Sequence, residues 1–260
     1  MKPEPAPVES EASRNGHRPA LRVAALQSNY MPWKGYFDII HDVDLFVFYD
    51  DNQYTIRDWR NRNRIKTATG LRWLSVPCGD DRNRLIHDVL ISDGSWQAKH
   101  FVTLEQNYGK CAHFERYRPW LEHVYLGQRW ERLSDLNQST IRHIAREFLG
   151  IQTRFADSRS YQAQGHKQDK MLDLVSRTGA TSYLSGPAAK DYLEPDAFER
   201  AGVELRWKDY TGYPEYAQRF PPFEHAVSIL DLLFNAGPEA PHHIWHWRGE
   251  SEWAGTVAAR

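Results

Sequence analysis

The stretch from Arg22 to Ile65 holds the densest collection of side chains that could bind a ligand or move a proton. Gln27, Asn29, Tyr30, Trp33, Tyr36, Asp50, Asp51 and Gln53 cluster around two short apolar runs, VAAL and LFVFY. Small apolar runs that end in polar residues suit strands covered on both faces by helices, with a ligand crevice at their carboxyl ends. A core alone needs no such concentration of hydrogen-bonding groups. Adjacent carboxylates at a strand end can bind a cation, orient a hydroxyl or amino group, or act as a base when desolvated. Successive strand side chains point to opposite faces, so only one of Asp50 and Asp51 is expected in a crevice. Asp51 is taken as that residue, beside Gln53, while capping of a turn is the competing role for either carboxylate.

His100, in WQAKHF, is the best single general-base candidate because imidazole titrates near neutrality. The chain has 12 histidines, so a packed or capping role is the alternative. In DWRNRNRI, strand alternation would place Arg60, Arg62 and Arg64 on one face, with Trp59, Asn61, Asn63 and Ile65 on the other. Guanidiniums in such a row suit phosphate or carboxylate recognition, which makes Arg62 and its neighbour Asn61 binding candidates. Surface salt bridging is the competing explanation. YLSGPAAKDYL places Ser185 and Gly186 after an apolar run, where backbone N–H groups can approach a ligand and Lys190 could neutralise an anion. A plain turn into a helix explains it equally. Ser228, Asp231 and Asn235 fall on one face of SILDLLFN, directed at a pocket or at a buried hydrogen-bond network. One crevice is expected to be bordered by Tyr30, Asp51, Arg62 and His100.

Cys78 and Cys111 have no paired spacing and imply neither a disulfide framework nor a zinc site. Cys111 and His113, two residues apart in a loop, are not evidence of a nucleophilic dyad. No metal site is read from the chain, and its cofactor, if it has one, is not legible.

The elements that must position these groups follow from periodicity. VAAL, the helical KGYFDIIHDV and LFVFY form a strand-helix-strand unit. RNRIKTATGLRWLSVPC reads as two strands around a Thr-Gly turn, LIHDVLIS as a further short strand, and Trp96 to Gly150 as three helical segments. Ser134 or Asp135 would cap the last of these, with Gly150 as its stop. QTRFADS, TSYLSG and VELRWKDY then alternate with helices, and SILDLLFNAG is a final helix. The fold class is α/β: a mostly parallel, doubly wound, Rossmann-like or nucleotidyltransferase-like sheet with a small antiparallel insertion and a helical segment. Residues 1–20 are expected as a disordered leader, 21–240 as one domain, and the Trp/His-rich 241–260 as a tail. With 33 basic against 34 acidic groups, no global electrostatic case for nucleic acid or an anionic membrane can be made. No apolar run approaches the roughly 20 residues that span a bilayer, and the first 20 lack a secretory hydrophobic segment, so a soluble, cytoplasmic protein is expected.

SNYMPWKGYFDII has the outline of the strand-loop-helix in nucleotidyltransferases with an H-x-G-H signature, but Trp33 and Tyr36 stand in the histidine slots. Without that pair, adenylyl transfer of the usual kind loses its principal phosphate donors. LQSNYMPWKGYFDII, YDDNQY, WRNRNRI with WLSVPC, WQAKH, YLSGPAAKDYL and FEHAVSILDLLFNAG, in that order, resemble the WbqC-like family of bacterial proteins from about Arg22 to Gly237. The family is named from O-antigen gene clusters. The resemblance therefore implies a part in surface-polysaccharide (lipopolysaccharide) or related specialised biosynthesis, with N-acyl or aminoacyl transfer to an amino sugar as the reaction. On that reading the substrate is a small molecule, a nucleotide-linked amino sugar, and the second partner an acyl donor or carrier protein. Arg62 and Lys190 would hold phosphate or carboxylate, Asp51 and Gln53 would orient hydroxyl or amino groups, and His100 would accept the amine proton. The alternative is a non-catalytic nucleotide-sugar or partner-binding protein derived from a nucleotidyltransferase-like fold.

Overall fold

Alternation along the first strand, β1 (Arg22–Leu26), sets how the rest of the chain packs. Val23 and Ala25 enter one hydrophobic core and Ala24 the other. Residues 20–249 are described by the computed structural model, and the expected leader up to residue 19 and the tail from residue 250 lie outside them. The first helix, α1 (Lys34–His41), buries Phe37, Ile39 and Ile40 on the Ala24 side. Strand β2 (Leu45–Phe48) is buried along its whole length, as a strand covered on both faces must be. Phe46, Val47 and Phe48 are fully buried, each contributing roughly 1.5–3 kcal/mol of transfer free energy.

The hairpin β3 (Arg62–Thr67) and β4 (Gly70–Ser75) forms a separate antiparallel two-stranded sheet. Its turn closes at Gly70, whose φ of +109° is open to glycine and strained for other residues. LIHDVLIS is not a strand but a 3-10 turn at Ile86–Asp88, flanked by two isolated bridges, Leu85 to Gln53 and Leu90 to Arg132. Ile86 and Val89 both reach the core, and a three-residue spacing brings them to one side only if the backbone winds. Helices α2 (Trp96–Tyr108), α3 (Phe114–Glu122) and α4 (Leu133–His143) form the helical segment. Neither Ser134 nor Asp135 caps α4, which starts at Leu133 without a side-chain cap bond. Burial decides this, because Leu133 and Ser134 are both drawn into the interior.

Strands β5 (Arg154–Asp157), β6 (Ser182–Ser185) and β7 (Glu204–Trp207) alternate with α5 (Lys167–Thr178) and α6 (Pro195–Arg200), and α7 (Ile229–Ala236) follows. The main sheet has the order β5-β2-β1-β6-β7, and every pairing in it is parallel. The chain winds outward from β1 to β2 and β5, then returns to β6 on the other side of β1. Loops leaving β1 and β6 therefore diverge, which opens a crevice at their carboxyl ends. Met171, Leu174 and Val175 of α5 and Phe198 of α6 pack with Val23, Ala25 and Val47, so helices cover both faces. Packing continues past residue 240, where the tail was expected, because Ile244 and Trp245 are buried in the larger core. No helix among the described residues is long and apolar enough to cross a membrane.

Candidate functional site

A cavity of about 760 Å³ lies where β1, β2 and β6 end. The exit of β1 supplies Gln27 and Asn29, the start of α1 supplies Trp33 and Tyr36, and the end of β2 supplies Tyr49 and Asn52. Opposite them stand Lys167 and Met171 of α5, the β6 residues Tyr183 and Ser185 with Gly186, and Tyr210 beyond β7. Among the described residues, Arg60 and Lys167 are the charged residues of this lining, and no carboxylate belongs to it.

The β1 exit loop is held from behind. Asp50 is fully buried, and its carboxylate accepts the Ser28 N–H at 2.8 Å and the Gln138 side-chain amide at 2.9 Å. Burial raises the Asp50 pKa, against these hydrogen bonds. The Tyr30 N–H donates to the Trp59 carbonyl at 3.0 Å, and Asn63 donates to the Met31 carbonyl at 2.7 Å. Met31 itself sits at φ +41° while almost wholly buried, a conformation that only such surrounding contacts would maintain. The Tyr36 hydroxyl donates to the Gln27 carbonyl at 3.0 Å. Gly35 allows the Trp33 indole to fold over the start of α1, since a Cβ there would stand 2.6 Å from its Cε2 and Cη2.

Arg60 donates to the Asn29 side-chain carbonyl and lies 3.7 Å from Asp58, while its buried Nε has no hydrogen-bond partner among the described residues. Burial lowers its pKa, Asp58 opposing, so the guanidinium is a desolvated cation beside the cavity. Burial pushes the Tyr49 phenol up to about 12 and raises Tyr36, Tyr183 and Tyr210 as well. These phenols stay protonated at neutral pH; Tyr49 and Tyr210 can donate to a ligand, whereas Tyr36 and Tyr183 already donate to the Gln27 and Ala25 carbonyls. A site with cationic and hydroxyl donors, aromatic walls and side-chain amides can hold an anion joined to a ring system.

Gln27, Tyr36 and Ser185 share this cavity, but none of the four residues expected to border one crevice belongs to its lining. Tyr30 is fully buried, and its hydroxyl contacts His100 Nδ1 at 2.8 Å and the Tyr125 hydroxyl at 2.6 Å. Burial lowers the His100 pKa to about 4, with a backbone hydrogen bond to Ser75 opposing. The imidazole is a neutral link in a closed core network. Asp51 is locked to α5 through Lys170 at 2.9 Å and accepts from the Ser158 hydroxyl at 2.5 Å. Arg62 stacks over Trp73 at 4.2 Å and, with Asn61, lines a separate cavity of about 290 Å³. The alternation that grouped it with Arg60 begins only at Arg62, because Arg60 lies in the preceding turn.

Gln53 is exposed and donates to the Arg82 carbonyl, and Lys190 lies over the Trp207 ring outside the large cavity's lining. Asp231 is fully buried and accepts from Tyr108 and Tyr216 hydroxyls at 2.8 and 2.7 Å and from Gln218 at 2.7 Å. Of its two expected roles, the buried network is the one observed. Burial pushes Cys78 up to about 12 and Cys111 up to about 11, far from thiolate chemistry at neutral pH. Asp38, His41 and Asp42 approach one another closely, yet Lys208 bridges both carboxylates at 2.8 and 2.5 Å and Arg248 pairs with Asp38. Protein cations thus already occupy that cluster.

Lys167, Asn52, Tyr183 and Tyr210 were not singled out from the sequence. The strand-end rule could have found Asn52, whereas Tyr183 lies inside β6 and Lys167 and Tyr210 reach the cavity through helix and loop placement.

Residues 27–243 match the WbqC-like protein family. The uncharacterized protein Rv1507c of Mycobacterium tuberculosis is 44% identical over 229 residues, covering 87% of this chain and 99% of that protein. No solved structure matches the chain. A match over so much of its length means that this chain belongs to the WbqC-like protein family.

Proposed function

We propose that the large cavity binds a nucleotide-linked amino sugar and that the protein is a transferase in bacterial surface-polysaccharide or related specialised biosynthesis, passing an N-acyl or aminoacyl group to that sugar. The observation that carries this reading is the lining: Arg60 and Lys167 are its charged groups, at the point where the sheet reverses its winding. The cations hold the phosphates, the aromatic residues flank a base or sugar, and Gln27, Asn29 and Asn52 read polar edges. An acyl donor or carrier protein would be the second partner. Catalysis by such a site rests on placing the amine against the acyl carbon.

A second reading, non-catalytic binding of the same ligand, is favoured by a specific observation. Among the described residues, no histidine, cysteine or carboxylate stands in the lining to accept the amine proton. Calorimetric titration with nucleoside diphosphates and their sugars tests the ligand class, and mass spectrometry of the same mixtures with acyl donors tests transfer. Binding with a new acylated sugar supports the transferase. Binding without product supports the second reading, and absence of binding refutes both.

A further inference from the structure

A second cavity, of about 280 Å³, adjoins the first, and Asn29 and Trp33 line both. Its remaining lining residues are Pro32, Trp59, Asn63 and Ala226, so among the described residues it presents two indoles and no charged group. At this size it lies at the small end of ligand pockets and suits a single ring. Asn63 is already committed, donating to the Met31 carbonyl and accepting the Arg64 N–H at 2.8 Å. Asn29 differs. Its Oδ1 accepts from Arg60, while its Nδ2 has no protein partner among the described residues.

Trp59 is 40% exposed, unusual for a residue held so firmly. Its carbonyl accepts the Tyr30 N–H, its ring centroid lies 5.3 Å from that of Trp73, and the Arg64 guanidinium lies 5.8 Å from its ring. Trp33, on the other wall, makes edge contacts with Tyr210 and Tyr213. Both indoles are thus braced by neighbours rather than by each other. An indole face carries negative quadrupole charge, and it attracts the slightly positive C–H groups on the face of a pyranose. The hydroxyls at the pyranose edge need hydrogen-bond partners, which Asn29 and water supply. Among the described residues no charged group belongs to this lining, so an amino sugar would enter it with its amine neutral, the form that attacks an acyl carbon.

We infer that the small cavity is the glycosyl subsite: a nucleotide-linked sugar whose phosphates lie beside Arg60 places its uncharged sugar ring against Trp33 and Trp59. The inference rests on the reading of the large cavity as a nucleotide-sugar site. Arg60 grips Asn29, and Asn29 lines both cavities, so a phosphate held at Arg60 stands at the mouth of the smaller one.

The test is calorimetric titration of the full chain with UDP, dTDP and GDP and with UDP-N-acetylglucosamine, dTDP-glucose and GDP-mannose. The unmutated protein should bind at least one nucleotide sugar more tightly than its bare diphosphate. Trp59→Ala should lose about tenfold in affinity for that sugar nucleotide, about 1.4 kcal/mol, while the bare diphosphate binds as before. Trp59→Tyr, which keeps an aromatic face, should restore most of the loss and guards against a folding defect in the alanine variant. Equal weakening of both ligands by Trp59→Ala, or no weakening of either, would overturn the glycosyl subsite while leaving the nucleotide site intact. If no ligand of the set binds the unmutated protein, the reading of the large cavity falls and the subsite with it.

Discussion

The crevice at the ends of β1 and β6 and the polar clusters packed behind it contain similar residue types, yet they differ in how completely those residues are satisfied. Behind the sheet, Asp231 accepts from four side chains, and Lys208 bridges two buried carboxylates. In the crevice, the Asn29 Nδ2 has no protein partner among the described residues, the Arg60 Nη2 stands 3.7 Å from Asp58, and Tyr49 holds a proton that burial makes hard to remove. A polar group whose bonds are all made within the protein specifies the fold. One with capacity left over is available to a ligand.

The sharpest way to break this contrast is to damage the satisfied side. Lys208→Met removes the ammonium between Asp38 and Asp42, both almost fully buried, and should destabilise the fold by about 3–5 kcal/mol. Urea denaturation measures it. If the loss is under about 1 kcal/mol, the cluster is not the structural unit its geometry describes.

His100 offers a smaller effect with a sign. Its pKa of about 4 in the folded state lies below the ordinary value of about 6.5, so between these values the unfolded chain binds more protons. Stability from the neutral imidazole is therefore present above about pH 6.5 and is lost as pH falls toward 4. Relative to His100→Gln, the unmutated protein should lose about 2 kcal/mol more between pH 7.5 and pH 5. The comparison with the variant matters because Asp38, Asp50 and Asp231, whose pKa values burial raises, push in the opposite direction. Parallel pH profiles for the two proteins would mean that the imidazole is not buried as a neutral group.

Gly35→Ala separates binding from folding. Alanine favours a helix over glycine by up to about 1 kcal/mol, but its Cβ would displace the Trp33 indole, which lines both cavities. Affinity for a nucleotide sugar should fall by about a hundredfold, roughly 2.7 kcal/mol, with melting temperature nearly unchanged. A folded variant with full affinity would show that Trp33 contributes nothing to the site.

The sheet was legible because its strands are short apolar runs bounded by polar residues, and VAAL, LFVFY and SYLS sit where that pattern puts them. Gln27, Tyr36 and Ser185 followed from the strand-end rule. His100 and Tyr30 could not be placed this way, because a histidine that lines a crevice and one that links two phenols look alike in sequence. Only the approach of Tyr125, 95 residues from Tyr30, decides between them. Arg60 and Arg62 look equivalent when strand alternation is extended two residues too early, into a turn where period two does not hold. Lys167 owes its place to the crossover that brings α5 beside β1, a long-range packing result with no local signature.

The smallest expected effect tests whether the crevice reads geometry or charge alone. Arg60 donates to Asn29 from Nη1, while its Nη2 stands 3.7 Å from Asp58, beyond hydrogen-bond reach, so the planar fork can meet a phosphate through Nη2 while Asn29 stays oriented. Lysine at this position keeps the charge but loses the fork and the simultaneous grip on Asn29. Arg60→Lys should therefore weaken nucleotide-sugar binding by about tenfold, about 1.4 kcal/mol, with a smaller loss for inorganic phosphate, which makes no demand on Asn29. Stability should change little, because the ammonium can still lie near Asp58. Titration of both ligands against both proteins reads the difference. Equal losses for the two would show that Arg60 acts as a point charge, and unchanged affinity for both would remove it from the site.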